Sequence, residues 1–306
     1  LGSSQTGTQG RAQEIGVTAT ADNTKVTITP TVTVPPTAQP DRPQRTANQS
    51  YQITLNRGQV YSLIQSSDTQ DLTGTSITAS QPIAVFSGHL ATALERSNPT
   101  DHLEEQEWPV GDWGREFVTV PFQGRTLGDR FQIVAAADDT HVVINGLPVA
   151  TLAQGGSWSA VLQGPQHILT DKPVSVVQAC TSLGHTDANP QYGDPLTLFV
   201  QPTNRYLTTY TVAAMKAPGQ GVSRQFLNLM VPTAVVGQVL LDGTLLPAAR
   251  FTPAGTSGYA VAQLDVSPGA HRLTGPQPFG VMVYGLDGAE GQGNPGGLQT
   301  GVEESP

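Results

Sequence analysis

Apolar and polar residues alternate along most of this chain. Gly16-Val-Thr-Ala-Thr, Thr24-Lys-Val-Thr-Ile-Thr, Tyr51-Gln-Ile-Thr-Leu, Phe117-Val-Thr-Val, Phe131-Gln-Ile-Val and His141-Val-Val-Ile all place apolar side chains at every second position. A period of two belongs to an antiparallel strand buried on one face. No window keeps apolar residues at i, i+3, i+4 and i+7 for three turns. Leu90–Ser97 and Asp101–Trp108 are the two windows where a turn or two of helix is expected, and little more. The fold class is therefore all-β.

The alternation is organised by repeats. Ser76-Ile-Thr-Ala-Ser-Gln-Pro-Ile-Ala-Val-Phe-Ser-Gly88 returns as His167-Ile-Leu-Thr-Asp-Lys-Pro-Val-Ser-Val-Val-Gln-Ala179, and again from His271 to Gly285 around Pro278. Each copy is a polar turn, a proline and a β-branched or aromatic run, a unit that recurs in tandem β architectures. His167 and His271 align as equivalent, which suggests a repeated structural hydrogen bond. Residues 101–117 also align on 194–210: 202 − 109, 206 − 113 and 210 − 117 all equal 93. Ala21-Asp-Asn-Thr matches Ala137-Asp-Asp-Thr, turns in which Asp22 and Asp138 are expected to bond nearby turn amides. Asn145-Gly146 and Asp242-Gly243 are dipeptides that tolerate positive φ at both centres of a tight hairpin.

These repeats predict three related antiparallel sandwich- or barrel-like modules packed compactly, each of roughly seven strands. The expected limits are a flexible N-terminal arm at 1–13, an incomplete first module at 14–97 with a long proline-bearing loop at 35–50, a second module at 98–190, a third at 191–287 and a flexible C-terminal tail at 288–306. The expected core is Val26, Ile28, Ile53, Leu55, Ile83, Val85, Phe117, Ile133, Val142, Ile144, Val174, Val176, Phe199, Leu227, Leu229, Leu240, Val281 and Val283.

Composition narrows the function. With 33 Gly, 24 Pro and only 13% charged residues, the chain is rich in turns and depends on hydroxyl and amide groups for solubility. A net charge of −9 gives no basic stripe for phosphates and no attraction to anionic lipid. No stretch approaches the roughly 20 apolar residues of a membrane helix. No signal peptide opens the sequence and Leu1 is not an initiator Met, so it reads as a processed or excised chain. The single cysteine, Cys180, permits no intrachain disulfide and reads as a small buried hydrophobe.

Candidate chemistry concentrates in one place. Asp101, His102, Glu104, Glu105, Glu107, Asp112 and Glu116 surround Trp108 and Trp113. Paired carboxylates with an imidazole suit acid–base work or a cation, and tryptophans suit stacking on a sugar. The competing explanation makes Trp108, Trp113 and Phe117 core wedges at a module junction, with Asp101 capping a turn and the glutamates solvated. Of these, Asp101, His102, Glu105, Trp108 and Trp113 are the candidate binding residues. Asp187–Asp194 faintly resembles a calcium loop but lacks the terminal glutamate and the spacing, so it reads as a turn-rich linker. Zinc-protease, redox-cysteine, nucleophile-elbow and phosphate-loop motifs are all missing, and no cofactor or metal is implied.

The run Asp101-His-Leu-Glu-Glu-Gln-Glu-Trp-Pro-Val-Gly-Asp-Trp-Gly-Arg-Glu-Phe-Val118 resembles the N-terminal domain of the IgG Fc-binding protein family. It keeps Asp101, His102, Leu103, Glu105, Gln106, Pro109, Trp113, Gly114, Phe117 and Val118, while Trp108 stands where a proline is usual. The resemblance extends over residues 14–286. Animal members carry cysteines here and this chain does not, so it is closer to the bacterial surface-protein branch. The leading strand expected before the first module is absent: it has been trimmed away, or the sheet edge is completed by the tail or by another subunit. The resemblance implies an extracellular, non-catalytic binding or structural protein of a cell surface, with a protein or glycan ligand, strand sharing between subunits and homo-oligomers or filaments. No residue here ties it to antibody binding. The alternative is a carbohydrate-active protein, glycan-binding or glycosidic, using the 101–116 carboxylates and tryptophans.

Overall fold

The computed structural model describes residues 12–37, 42–67, 70–92, 94, 100–181, 195–216, 224–287 and 290–297. Residues 1–11 of the expected arm, the tail beyond 297, and the Asp187–Asp194 loop with His185 lie outside them. Among the described residues there is no α-helix, hence none long and apolar enough to cross a membrane.

The strands fall into three groups. The first holds β1 (Gln13–Ala19), β2 (Thr24–Thr29), β3 (Tyr51–Leu55), β4 (Val60–Gln65), β5 (Ser76–Ala79), β6 (Ile83–Thr92) and β7 (Asp101–Gln106). The second holds β8 (Gly114–Val118), β9 (Asp129–Ala135), β10 (Thr140–Ile144), β11 (Leu147–Leu152), β12 (Ser157–Leu162), β13 (His167–Cys180) and β14 (Leu196–Phe199). The third holds β15 (Leu207–Ala214), β16 (Arg224–Pro232), β17 (Leu240–Leu241), β18 (Thr244–Leu245), β19 (Thr252–Pro253), β20 (Tyr259–Val266), β21 (Gly269–Asp287) and β22 (Glu290–Pro295).

Every pairing is antiparallel, and the pattern runs alike in the groups. The orders β4-β1-β6-β7, β12-β9-β13-β14 and β20-β16-β21-β22 correspond strand for strand. So do β3-β2-β5, β11-β10-β13-β8 and β18-β17-β21-β15, except that the first ends at β5. In the later groups one long strand serves both sheets, bending at Thr170–Pro173 in β13 and before Phe279 in β21, where the register shifts. A proline has no amide to donate, so it suits such a bend. In the first group the chain breaks there into β5 and β6, and Pro82 leaves only its carbonyl, which accepts from the Thr20 amide.

Several expectations need correcting. Asp101–Gln106 is a strand, not a helical turn, because Leu103 and Glu105 face inward while His102 and Glu104 face out. That strand pairs with β6, so the residues assigned to open the second module complete the first group's sheet. Likewise β14 closes the second group and Glu290–Pro295, assigned to a flexible tail, closes the third. His167 and His271 are not equivalent. The His167 amide donates to Asn145 Oδ1, and its counterpart is Arg272, whose amide donates to Asp242 Oδ1. Asp22 and Asp138 bond amides of the facing glycine turn, those of Arg57 and Gln154, instead of their own turn.

The Asn145-Gly146 and Asp242-Gly243 turns do take positive φ at both positions, as a twisted two-residue hairpin requires. Cys180 is fully buried. The core residues are buried as expected except Ile53, Ile83, Val85 and Leu240, which are half-buried; three of these four lie in the first group. The second and third groups share one apolar cluster, with Val118, Val120, Phe122 and Leu198 packed against Phe226, Met230, Met282 and Tyr284. The first group's core is a cluster of its own.

Candidate functional site

The five candidate residues do not converge. Trp108 and Trp113 sit at the junction between groups. Each of the aligned segments makes a short 3-10 turn after a proline, Val110–Asp112 after Pro109 and Thr203–Arg205 after Pro202. The two turns interlock: the fully buried Arg205 donates to the Gly111 carbonyl at 2.6 Å, with Asp112 at 3.7 Å. A Cβ on Gly114 would meet the Pro202 ring at 2.2 Å, so only glycine fits. Trp108 stacks on Phe199 with ring centroids 5.1 Å apart, and Trp113 Nε1 donates to the Trp108 carbonyl at 3.1 Å. Phe199 covers one indole face, and the N–H is already bonded. Both tryptophans are half-buried and packed into the junction.

Asp101 and His102 lie at the surface. Asp101 Oδ1 accepts from the His102 amide at 2.7 Å, and His102 Nε2 stands 3.4 Å from Glu14 Oε1 across the sheet. Glu105 belongs to neither arrangement. Directly paired residues of adjacent strands share a face, so the row Ile15–Ser87–Glu105 points the same way. Ile15 is core, and Glu105 therefore points inward. Glu107, whose amide donates to Val85, continues that face beside Val17 and Val85. Burial pushes the Glu105 carboxyl up to about 8, and the Glu107 charge adds to the effect. Burial also raises Glu107, whose Oε1 accepts from the Ser87 hydroxyl.

Those two carboxyls stand where the second group has hydrocarbon. Ser87 pairs with Glu105 as Gln178 pairs with Leu198, and Val85 bonds the Glu107 amide as Val176 bonds that of Val200. Leu198 and Val200 are both buried. The 93-residue offset already aligned 105 with 198 and 107 with 200, so the swap was legible in the sequence; the inward direction of β7 was not, because a helical turn was expected there. Ser87 went unnoticed for the same reason.

At the same end, the first group has one strand fewer among the described residues. In the second group β8 flanks β13 and sets Phe117 opposite Ile168; in the third, β15 sets Tyr210 opposite Leu273. The equivalent residue of the first group is Ile77, opposite Ile28 as Ile168 is opposite Ile144. Among the described residues β5 pairs with β2 alone. Ile168 and Leu273 are fully buried while Ile77 is half-buried. Ile83 and Val85 are half-buried where Val174 and Val176, or Phe279 and Val281, are fully buried. The result is an unfinished sandwich end with an apolar floor and two inward acids. Among the described residues no three His, Cys, Asp or Glu gather as a metal site would require.

Comparison with known proteins agrees with the motif at 101–118. A family model described as IgGFc binding protein matches residues 2–285. A human protein named IgGFc-binding protein is 24% identical over 242 residues, covering 76% of this chain and 4% of its own length. The chain thus spans a small part of that relative.

Proposed function

Since the chain belongs to the IgGFc binding protein family, we propose that it is an extracellular, non-catalytic protein-binding module. Its second and third groups form the scaffold and its first group the recognising end. Adhesion or assembly at a cell surface is the biological setting this reading favours. The three groups are taken as copies of one ancestral unit, and strands shared between proteins as the route of association. The observation that carries the reading is the unfinished end of the first group, where Ile77 is half-buried and Glu105 and Glu107 point inward. Half-buried apolar surface beside buried polar groups is what a partner stabilises on docking.

The human relative's name makes an antibody Fc fragment the first partner to test. The chain is immobilised and exposed to Fc, to a panel of extracellular proteins and to a glycan array, each with the wild type and with Glu105→Ala/Glu107→Ala. Binding of a protein that weakens in the double variant is the expected result; no protein ligand at all, or binding indifferent to both changes, overturns it. The carbohydrate reading gains little support, because Trp108 is stacked on Phe199 and Trp113 is bonded to its neighbour. Glycan binding or turnover abolished by Glu105→Ala and Trp108→Ala would restore it.

A further inference from the structure

We propose that the outer edge of β5 takes an added antiparallel strand from a protein partner, one that turns a lysine or arginine inward toward Glu105 and Glu107. This rests on the protein-binding reading and specifies how the partner is held. An edge strand with backbone groups unpaired on one side is a template for another strand. The two later groups show what belongs there: β8 and β15 occupy that edge and each inserts an aromatic ring, Phe117 or Tyr210, against the core. Without such a strand, Ile77, Ile83 and Val85 stay half-covered.

Charge then selects the occupant. A strand copied from β8 would cover the apolar floor but bring no donor or counter-charge to the Glu105 carboxyl, on which burial and the Glu107 charge act in the same unfavourable direction. The Glu105 carboxyl has no hydrogen-bond partner among the described residues, and the Glu107 carboxyl has only Ser87. A carboxylate held away from water is costly unless a cation or donor meets it. A basic side chain entering with the strand supplies a charge-assisted bond at the position where Leu198 and Val200 make apolar contacts in the second group. A second copy of this chain fits poorly. The β5 segment Ser76-Ile-Thr-Ala79 carries no base, and pairing two β5 edges about a two-fold would gather four inward acids on chains of net charge −9.

The test uses the whole chain at low concentration and three synthetic peptides. One has the sequence of residues 114–120, Gly-Arg-Glu-Phe-Val-Thr-Val; one carries T119K, at the inward position two residues past Phe117; one is the T119K peptide methylated on alternate amide nitrogens. Affinity is read by calorimetry and the binding site by amide exchange at Ser76–Ala79. The lysine peptide is expected to bind about tenfold more tightly than its parent, as a desolvated charge pair supports. It should protect the β5 amides, and the methylated version should do neither. In Glu105→Gln/Glu107→Gln the lysine advantage disappears while the parent peptide still binds. Equal affinities, or peptide binding without β5 protection, overturn the proposal. So does protection of β5 in the dilute chain without peptide, which means the edge is filled from within, or protection that grows with chain concentration, which means a second copy fills it. Fc or another protein binding normally while β5 stays exchangeable would sink this inference alone and leave the protein-binding reading standing.

Discussion

The first group of strands and the second are built on one pairing plan but solve their interiors differently. In the second, β8 closes the edge of β13, Phe117 fills the space beside Ile168, and the closing strand contributes Val200 to that core and Leu198 to the cluster shared with the third group. In the first, β5 has no such neighbour among the described residues, and the closing strand brings Glu105 and Glu107 to the same face. Equivalent backbone positions thus carry hydrocarbon where the core is complete and carboxyl groups where it is not. Departure from the hydrophobic pattern at one place in an otherwise common pairing plan marks where local packing is weaker, and it is the place the proposed binding role uses. The second and third groups differ from the first in another way. Asn228 donates to the carbonyls of Val120 and Pro121, Tyr284 donates to Asn228, and Gln178 bonds Val120 and Asp129, so a polar network crosses the junction inside a common core, with Gln178 Oε1 and Asp129 Oδ1 left without a hydrogen bond.

That contrast is sharpest at Arg205. Its guanidinium is fully buried with Asp112 as counter-charge, so Arg205→Ala leaves a cavity and takes that counter-charge away from a buried acid. Denaturant unfolding of the second and third groups should show a loss of about 3–5 kcal/mol. A smaller but more direct comparison sets Ile168→Ala against Ile77→Ala. The first should cost about 2–5 kcal/mol, as truncation in a closed core does, and the second clearly less because its side chain is already half solvated. Equal losses would show that the end of the first group is closed after all.

Next comes Gly74→Ala. A Cβ there would lie 2.1 Å from the Gly155 carbonyl oxygen and φ is +83°, so both the contact between groups and the local backbone object. Roughly 1–3 kcal/mol should be lost, seen as a lower melting temperature and faster exchange where the first group meets the second.

Protonation gives a subtler comparison. Glu105 is raised from 4.5 to about 8 and Asp129 from 3.8 to about 7, both chiefly by burial. A folded-state carboxyl raised above its unfolded value binds protons more readily when folded, so stability falls as pH rises between those two values. Unfolding midpoints should therefore drop from pH 5 toward 8. Glu105→Gln should remove the part of the fall that continues above pH 7, and Asp129→Asn the part that ends there. The pair His271–Asp242 carries the opposite acidic limb: its hydrogen bonds lower Asp242, so its contribution fades as pH falls through that lowered value. Smallest of all, Asp171→Asn breaks the well-exposed pair with His141 and should stay within about 0.5 kcal/mol.

Much of this was legible in the residues. Period-two alternation identified the strands because half-buried sheets demand it, and Asn145-Gly146 and Asp242-Gly243 identified hairpins because few residues tolerate two positive φ angles in succession. The error at Asp101–Trp108 has a physical cause as well. Glutamates at inward positions erased the alternation that would have declared a strand, so the segment that departs from the pattern was the one misread. The two histidines are shared by type and not by register: counted back from the bend, 173 − 167 and 278 − 272 both equal 6, so Arg272 and not His271 stands in the place of His167.

The amino-acid order alone determined the all-β class, the tight turns, the proline bends and nearly all the core positions, since each depends on side chains a few residues apart. Tertiary structure decided which strand completes which sheet. It drew Trp108 onto Phe199 and Arg205 onto Asp112, and it turned Glu105 inward beside an edge that β8 and β15 fill elsewhere. Those outcomes depend on which edges meet across ninety residues or more of chain, and no local spacing encodes that.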